Sequence, residues 1–286
     1  MRIRAGLAAA TVSGAVALAG LAAPAAQATD GPEITTPKMA PFTAATPADD
    51  SQGDTRITKV TVNGNSDVVV GVSKKSFNIY VTATDPSGIS TADAILWHGT
   101  SLSEDDPDVD GAMGAEQEAT CDNWSATSAT CKITITAEGG DSDTAQLYDS
   151  FLAGKWNVAV YAVGNDGDYV EKDVYKNSWV KRAASFSGFN ASPEPVAKGK
   201  TITVTGTLKR ASWTYLKYYG YGSQNVQLQF KKAGTSTYST VKTVKSSSSG
   251  YLKTTVTASA DGTWRFHYAG NSTSSVADAY DYVDVR

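Results

Sequence analysis

Cysteine and histidine are both scarce in this chain, with two of each among 286 residues. Each scarcity excludes chemistry. Cys121 and Cys131 have neither the two-residue spacing of a redox pair nor further ligands for a metal. His98 and His267 fall in different halves of the chain, whereas a Ser-His-acid set needs its base within hydrogen-bond reach of the nucleophile. No Gly-x-Ser-x-Gly elbow occurs. Gly140-Asp141-Ser142 lies in a Gly/Asp loop without the strand that should precede a nucleophile. Gly199-Lys200-Thr201 has Glu194 where a phosphate loop needs its first glycine, and a strand pattern follows it. No dozen residues carry a helical apolar stripe, and beyond the N-terminus no run is apolar enough to span a membrane. The expectation is a protein that is not an enzyme.

What is present begins with an export signal. Arg2 and Arg4 precede an uncharged run from Ala5 to Ala22, and Ala26 and Ala28 supply the small residues of a cleavage site. Residues 1–28 therefore read as a signal peptide, with an N-terminal anchor as the alternative. No Cys follows the run to take a lipid, and the chain closes on Asp284-Val285-Arg286 without an apolar tail, so a secreted, extracellular product is expected. Residues 29–53 hold Pro32, Pro37, Pro41 and Pro47 without apolar periodicity, as a disordered leader would. In an oxidising compartment Cys121 and Cys131 are expected to form a disulfide across a short polar hairpin.

From residue 54 the pattern turns to short strands of period two. Phe77, Ile79, Val81 and Ala83 alternate with polar residues, as do Cys131, Ile133 and Ile135, and Trp156, Val158, Val160 and Ala162. Later, Ile202, Val204 and Leu208 share a face, Val226, Leu228 and Phe230 another, and strands are expected over 238–244, 251–258, 264–268 and 281–285. Charge divides the same region. Residues 54–181 carry 20 acids against 9 bases, and residues 182–286 carry 5 against 13. Two all-β domains are expected, an acidic one at 54–181 and a basic one at 182–286. The basic half is suited to anionic polymers, unless the charge serves solubility alone.

Tyr80-Val81-Thr82-Ala83-Thr84-Asp85-Pro86-Ser87-Gly88, Gly154-Lys155-Trp156 and Ala162-Val163-Gly164-Asn165 resemble the signature of bacterial immunoglobulin-like domains. Lys198 to Gly206, Val226 to Phe230 and Gly262-Thr263-Trp264 are similar to a second such module of secreted proteins. The resemblance implies two tandem antiparallel β-sandwiches and no particular activity, because this fold hosts many functions.

Three groups of residues are candidates for a site. Asp106, Asp108, Asp110 and Gly111 match the first half of a calcium loop, with Glu104 and Glu116 as further oxygen ligands, although Gln117 stands where a bidentate acid is needed. Calcium binding there is expected to be weak, and a solvated acidic loop is the alternative. Asp85 should approach Asn165, Asp166 and Asp168 if the loops after the second and sixth strands share an end, either as hairpin-capping turns or as a second acidic cluster. Trp213, Tyr215, Tyr218, Tyr219 and Tyr221 crowd one loop beside Lys209, Arg210 and Lys217. They could present ligand-binding rings or pack as a satellite core. The function expected is binding or spacing outside the cell, with a protein or cell-wall polymer as partner and no nucleic acid. A polysaccharide-binding hydrolase accessory and an inhibitor presenting the 121–131 loop are the alternatives.

Overall fold

The computed structural model describes residues 50–103, 107–143 and 145–286. The expected signal peptide and most of the leader lie outside these residues, as do Glu104 and Asp106.

The first ten strands are β1 (Ser51–Gln52), β2 (Arg56–Val62), β3 (Val68–Val70), β4 (Lys75–Thr84) and β5 (Ile89–Ser101), then β6 (Asp108–Met113), β7 (Thr120–Ser125), β8 (Ser128–Ala137), β9 (Gly154–Gly164) and β10 (Tyr169–Arg182). They form two sheets. One runs β1-β10-β9-β5-β6, with β3 pairing in parallel to the end of β10; the other runs β2-β4-β8-β7. Alternation decides which residues enter the core. Phe77, Ile79, Val81 and Ala83 of β4 are buried, as are Cys131, Ile133 and Ile135 of β8 and Trp156, Val158, Val160 and Ala162 of β9. Cys121 and Cys131 are paired as a disulfide and stand opposite each other in the β7–β8 ladder.

The remaining strands are β11 (Ala184–Ser192), β12 (Thr201–Ser212), β13 (Lys217–Gly220), β14 (Asn225–Lys232), β15 (Ser239–Lys245), β16 (Tyr251–Thr257), β17 (Gly262–Tyr268) and β18 (Ala277–Val283). One sheet runs β11-β12-β13 with β16 also on β12, and the other runs β15-β14-β17-β18. Ile202, Val204, Leu208 and Leu252 of the first meet Val226, Leu228, Trp264 and Phe266 of the second in one core. Phe189 lies edge-on to Phe266 there, with ring centroids 5.0 Å apart.

The chain is thus all-β, a pair of immunoglobulin-like sandwiches. No helix among the described residues is long and apolar enough to cross a membrane. By backbone proximity the chain forms two compact units. Among the described residues, the first holds 50–64, 78–135 and 157–177, and the second holds 65–77, 136–156 and 178–286.

Candidate functional site

Two acidic groupings can be compared in the first unit. Asp108 and Asp110 lie on strand β6, paired to β5, so Asp108–Gly111 are extended and do not form the coiled loop that the spacing suggested. Their carboxylates have protein partners. Thr100 Oγ1 donates to Asp108 Oδ2 at 2.6 Å, and Asp110 Oδ2 lies 3.1 Å from His98 Nδ1. Glu116 is exposed beyond the strand.

The group that converges is Asp54, Asp85 and Asp168, each offering a carboxylate oxygen within 4.8 Å of the others. Asp85 is buried at 1% exposure, and the hydroxyls of Ser87 and Thr55 donate to it. Those hydrogen bonds, the Ser87 side chain first, hold its pKa below the ordinary carboxylate value. Asp54 is shifted the other way, by lost hydration and then by the Asp85 and Asp168 charges. Asp168 Oδ2 accepts from Asp54 N at 3.0 Å across a separation of 114 residues. Glycines allow this crowding. A Cβ on Gly53, at φ +78°, would overlap the Asp168 carboxylate, and one on Gly164 would come within 2.5 Å of Asp85 Oδ2. Asn165 Nδ2 donates to Ser87 O at 2.8 Å, and Asp166 N donates to Ser87 Oγ at 3.2 Å.

Trp213 is not a surface ring. It is completely buried in the second unit, its Nε1 donating to Val70 O at 3.1 Å and its Cβ packed where Gly139 leaves room. Tyr221 is also tied down: Arg210 lies 4.0 Å over its ring, and its hydroxyl accepts from Asn271 Nδ2 at 2.9 Å. Tyr215, Tyr218 and Tyr219 are exposed at the β13 edge, Tyr215 edge-on to Tyr219.

Sequence reasoning missed a second aromatic surface, on the outer face of the β15-β14-β17-β18 sheet. Registry sets it out in cross-strand rows. One row is Thr243, Gln227, His267 and Asp278; the next contains Thr240, Gln229, Arg265 and Tyr280; the third contains Lys231, Thr263 and Tyr282. Their strand neighbours Leu228, Trp264, Phe266 and Tyr268 point into the core. The outward side chains hold one another. Gln229 Nε2 donates to Gln227 Oε1 at 2.7 Å, Arg265 Nε donates to Gln229 Oε1 at 2.8 Å, and His267 Nδ1 lies 2.8 Å from Asp278 Oδ1. The Arg265 guanidinium sits 4.0 Å over the Tyr238 ring and 5.9 Å from that of Tyr280. Tyr280 and Tyr282 remain 53% and 48% exposed. Fixed polar groups beside open rings can take a ligand without first being ordered.

Residues 66–162 match DUF5707, a family of unknown function. No curated protein sequence matches the chain. Among solved structures, fibronectin(III)-like modules of Clostridium thermocellum CbhA are similar at 14% identity, covering 79% of this chain and 93% of theirs, with a TM-score of 0.29. The D00-D0 domain of intimin is similar at 15% identity over 79% of this chain and 99% of its own, with a TM-score of 0.26. Three N-terminal domains of the bacteriophage RB49 outer capsid protein Hoc show 10% identity over 81% and 70%, with a TM-score of 0.27. The fold assignment rests on the strand pairing above.

Proposed function

We propose that this is an exported, non-catalytic binding protein whose recognition surface is the outer face of the β15-β14-β17-β18 sheet, with a cell-wall polysaccharide as its partner. The observation that carries this reading is Arg265 held between Tyr238 and Tyr280 beside the Gln229–Gln227 amide pair. Rings with open faces can stack on the apolar faces of sugars, and amides and a guanidinium can bond hydroxyls. The excess of bases over acids in residues 182–286 adds attraction for anionic stretches of such a polymer. The three-part N-terminal layout and the Cys121–Cys131 disulfide support an extracellular setting. Both histidines are paired with carboxylates, His98 with Asp110 and His267 with Asp278, and the sequence supplies no nucleophile motif beside either.

The test is retention of the mature chain on insoluble cell-wall polysaccharide. Wild type should be retained, and Tyr280→Ala with Tyr282→Ala should elute early at unchanged melting temperature. Equal retention of the two proteins would overturn the assignment of the face. Release of soluble sugar during incubation would overturn the non-catalytic reading.

One observation favours a second reading, as a protein inhibitor. Trp124 is 65% exposed on the hairpin that Cys121–Cys131 braces, and its Nε1 donates to Thr130 Oγ1 at 3.2 Å. A held, exposed Trp is the residue type that dominates protein interfaces.

A further inference from the structure

A polar depression of about 480 Å³ opens at the Gln227 end of the same sheet. Its walls include Ser223, Asn225, Gln227, Thr243, His267 and Gly270. We infer that it is a subsite for one neutral, hydroxyl-rich sugar ring. The inference rests on the binding role proposed for this sheet face and names the ligand class of one part of it.

The lining decides the chemistry. No Lys, Arg, Asp or Glu is among the lining residues, and the one imidazole there, His267, already faces the Asp278 carboxylate, so the lining favours a neutral ligand. Amides, hydroxyls and an imidazole do contribute, and each of these groups other than a protonated imidazole offers both donors and acceptors. Sugar hydroxyls likewise donate and accept. The volume falls within the range of small-molecule sites.

The groups are also available. Gln227 Oε1 accepts from Gln229 Nε2 and Thr240 Oγ1, which fixes the amide and leaves its NH₂ without a protein partner among the described residues. The side chains of Asn225 and Thr243 and the hydroxyl of Ser223 likewise lack protein partners among the described residues. Asp278 engages His267 at Nδ1 and so orients the ring, leaving Nε2 for a ligand. Gln224, which also lines the depression, is held on two sides: its Nε2 donates to Gly222 O at 3.0 Å, and its backbone N donates to Ser246 Oγ at 2.9 Å. A fixed frame with unspent donors and acceptors is the arrangement a binding site needs and a packing defect lacks.

The experiment uses the full mature chain, isotopically labelled, with amide chemical shifts followed during titration. Glucose, galactose, mannose and N-acetylglucosamine are the neutral probes; glucuronate and galacturonate are the anionic ones. At least one neutral sugar should shift the amides of 223–227 and 267–270 saturably. Asn225→Ala with Gln227→Ala should weaken that binding by about tenfold or more, the loss of roughly 1.4 kcal/mol. Thr243→Val, on the neighbouring strand β15, should weaken it further. No saturable shift with any neutral sugar, a response to the uronates alone, or binding that survives all three substitutions would overturn the subsite. Tyr280→Ala should leave monosaccharide binding intact while reducing polymer retention. A silent depression with Tyr280-dependent retention defeats the subsite and leaves the face standing. A responsive depression with Tyr280-independent retention does the reverse.

Discussion

Trp213 Nε1 donates to the carbonyl oxygen of Val70 at 3.1 Å, with the indole wholly enclosed. A buried indole is worth its packing and its hydrogen bond together. Trp213→Phe keeps most of the volume but orphans the Val70 oxygen, and is expected to cost about 1–3 kcal/mol. Trp213→Ala adds a cavity and should cost about 3–5 kcal/mol. Denaturant unfolding measures both. Retention on polysaccharide, assayed well below the melting temperature, should not change for Trp213→Phe.

The Cys121–Cys131 bridge joins opposed residues at a sequence separation of 10, with β7 at the sheet edge. In the chain-entropy view, a loop this short contributes about 2–3 kcal/mol. Reduction should therefore lower the melting temperature without abolishing the β-type circular dichroism, since β2, β4 and β8 remain paired. Complete unfolding on reduction would show that the hairpin carries more than its own edge.

Much of the fold was legible in the sequence, because β4, β8 and β17 bury every second residue. Phe77 to Ala83 reads directly as a half-buried strand and is one, whereas Trp156 to Ala162 also buries Ala159 on its other face, against Ile95 and Trp97. Strand β18 reverses the rule. Tyr280 and Tyr282 face outward, while Ala279 and Asp281 face inward, and Asp281 Oδ2 accepts from Ala191 N at 2.8 Å. Its start was consequently read late, at 281 instead of 277, and the aromatic face it carries was not seen. Strand β13 has no alternation to mark it in the sequence, since Tyr218 and Tyr219 are adjacent rings, and in the structure both are exposed. At the acidic end, the approach of Asp85 to Asn165, Asp166 and Asp168 followed from loop order. Asp54 was missed, because nothing local marks a residue at the end of a proline-rich leader as a partner of Asp168. In the Trp213 loop, composition alone could not separate a buried ring from its exposed neighbours.

The Asp54, Asp85 and Asp168 carboxylates repel one another in the first unit, where Asp85 is buried and Asp54 exposed. Asp54→Asn removes one charge, so it should raise the melting temperature at low ionic strength, with the gain shrinking as salt is added. Calcium should stabilise the wild type more than the variant. An equal calcium response in both proteins would place the effect elsewhere, with Asp108→Ala plus Asp110→Ala as the next test.

The last prediction concerns pH and Glu171. Burial, then the Asp173 and Asp50 charges, push its pKa up from 4.5 to about 7. Its Oε1 is buried without a hydrogen-bond partner, so nothing there rewards ionisation. The neighbouring strand edge is light: β1 has two residues, and Glu171 N donates to Asp50 O at 2.8 Å. Below pH 4.5 the carboxyl is protonated in the folded and unfolded chains alike, and this contribution to stability is fully present. Between that value and about 7 the folded protein holds the proton more tightly than the unfolded chain. Stability must then fall as pH rises, and it levels off once both states are ionised. The full shift would correspond to roughly 3 kcal/mol, and screening of a partly buried group reduces the expectation to about 1–2 kcal/mol. Glu171→Gln fixes the neutral form. It should match wild type near pH 4, exceed it by that amount above pH 7, and remove this limb of the pH profile. Urea unfolding of both proteins across the range measures it, and parallel profiles would show that Glu171 ionises without cost to the fold. Protection factors at Gln52 and Glu171, with the base-catalysed intrinsic rate divided out, should fall over the same interval in wild type alone, because the charge develops where β1 is held.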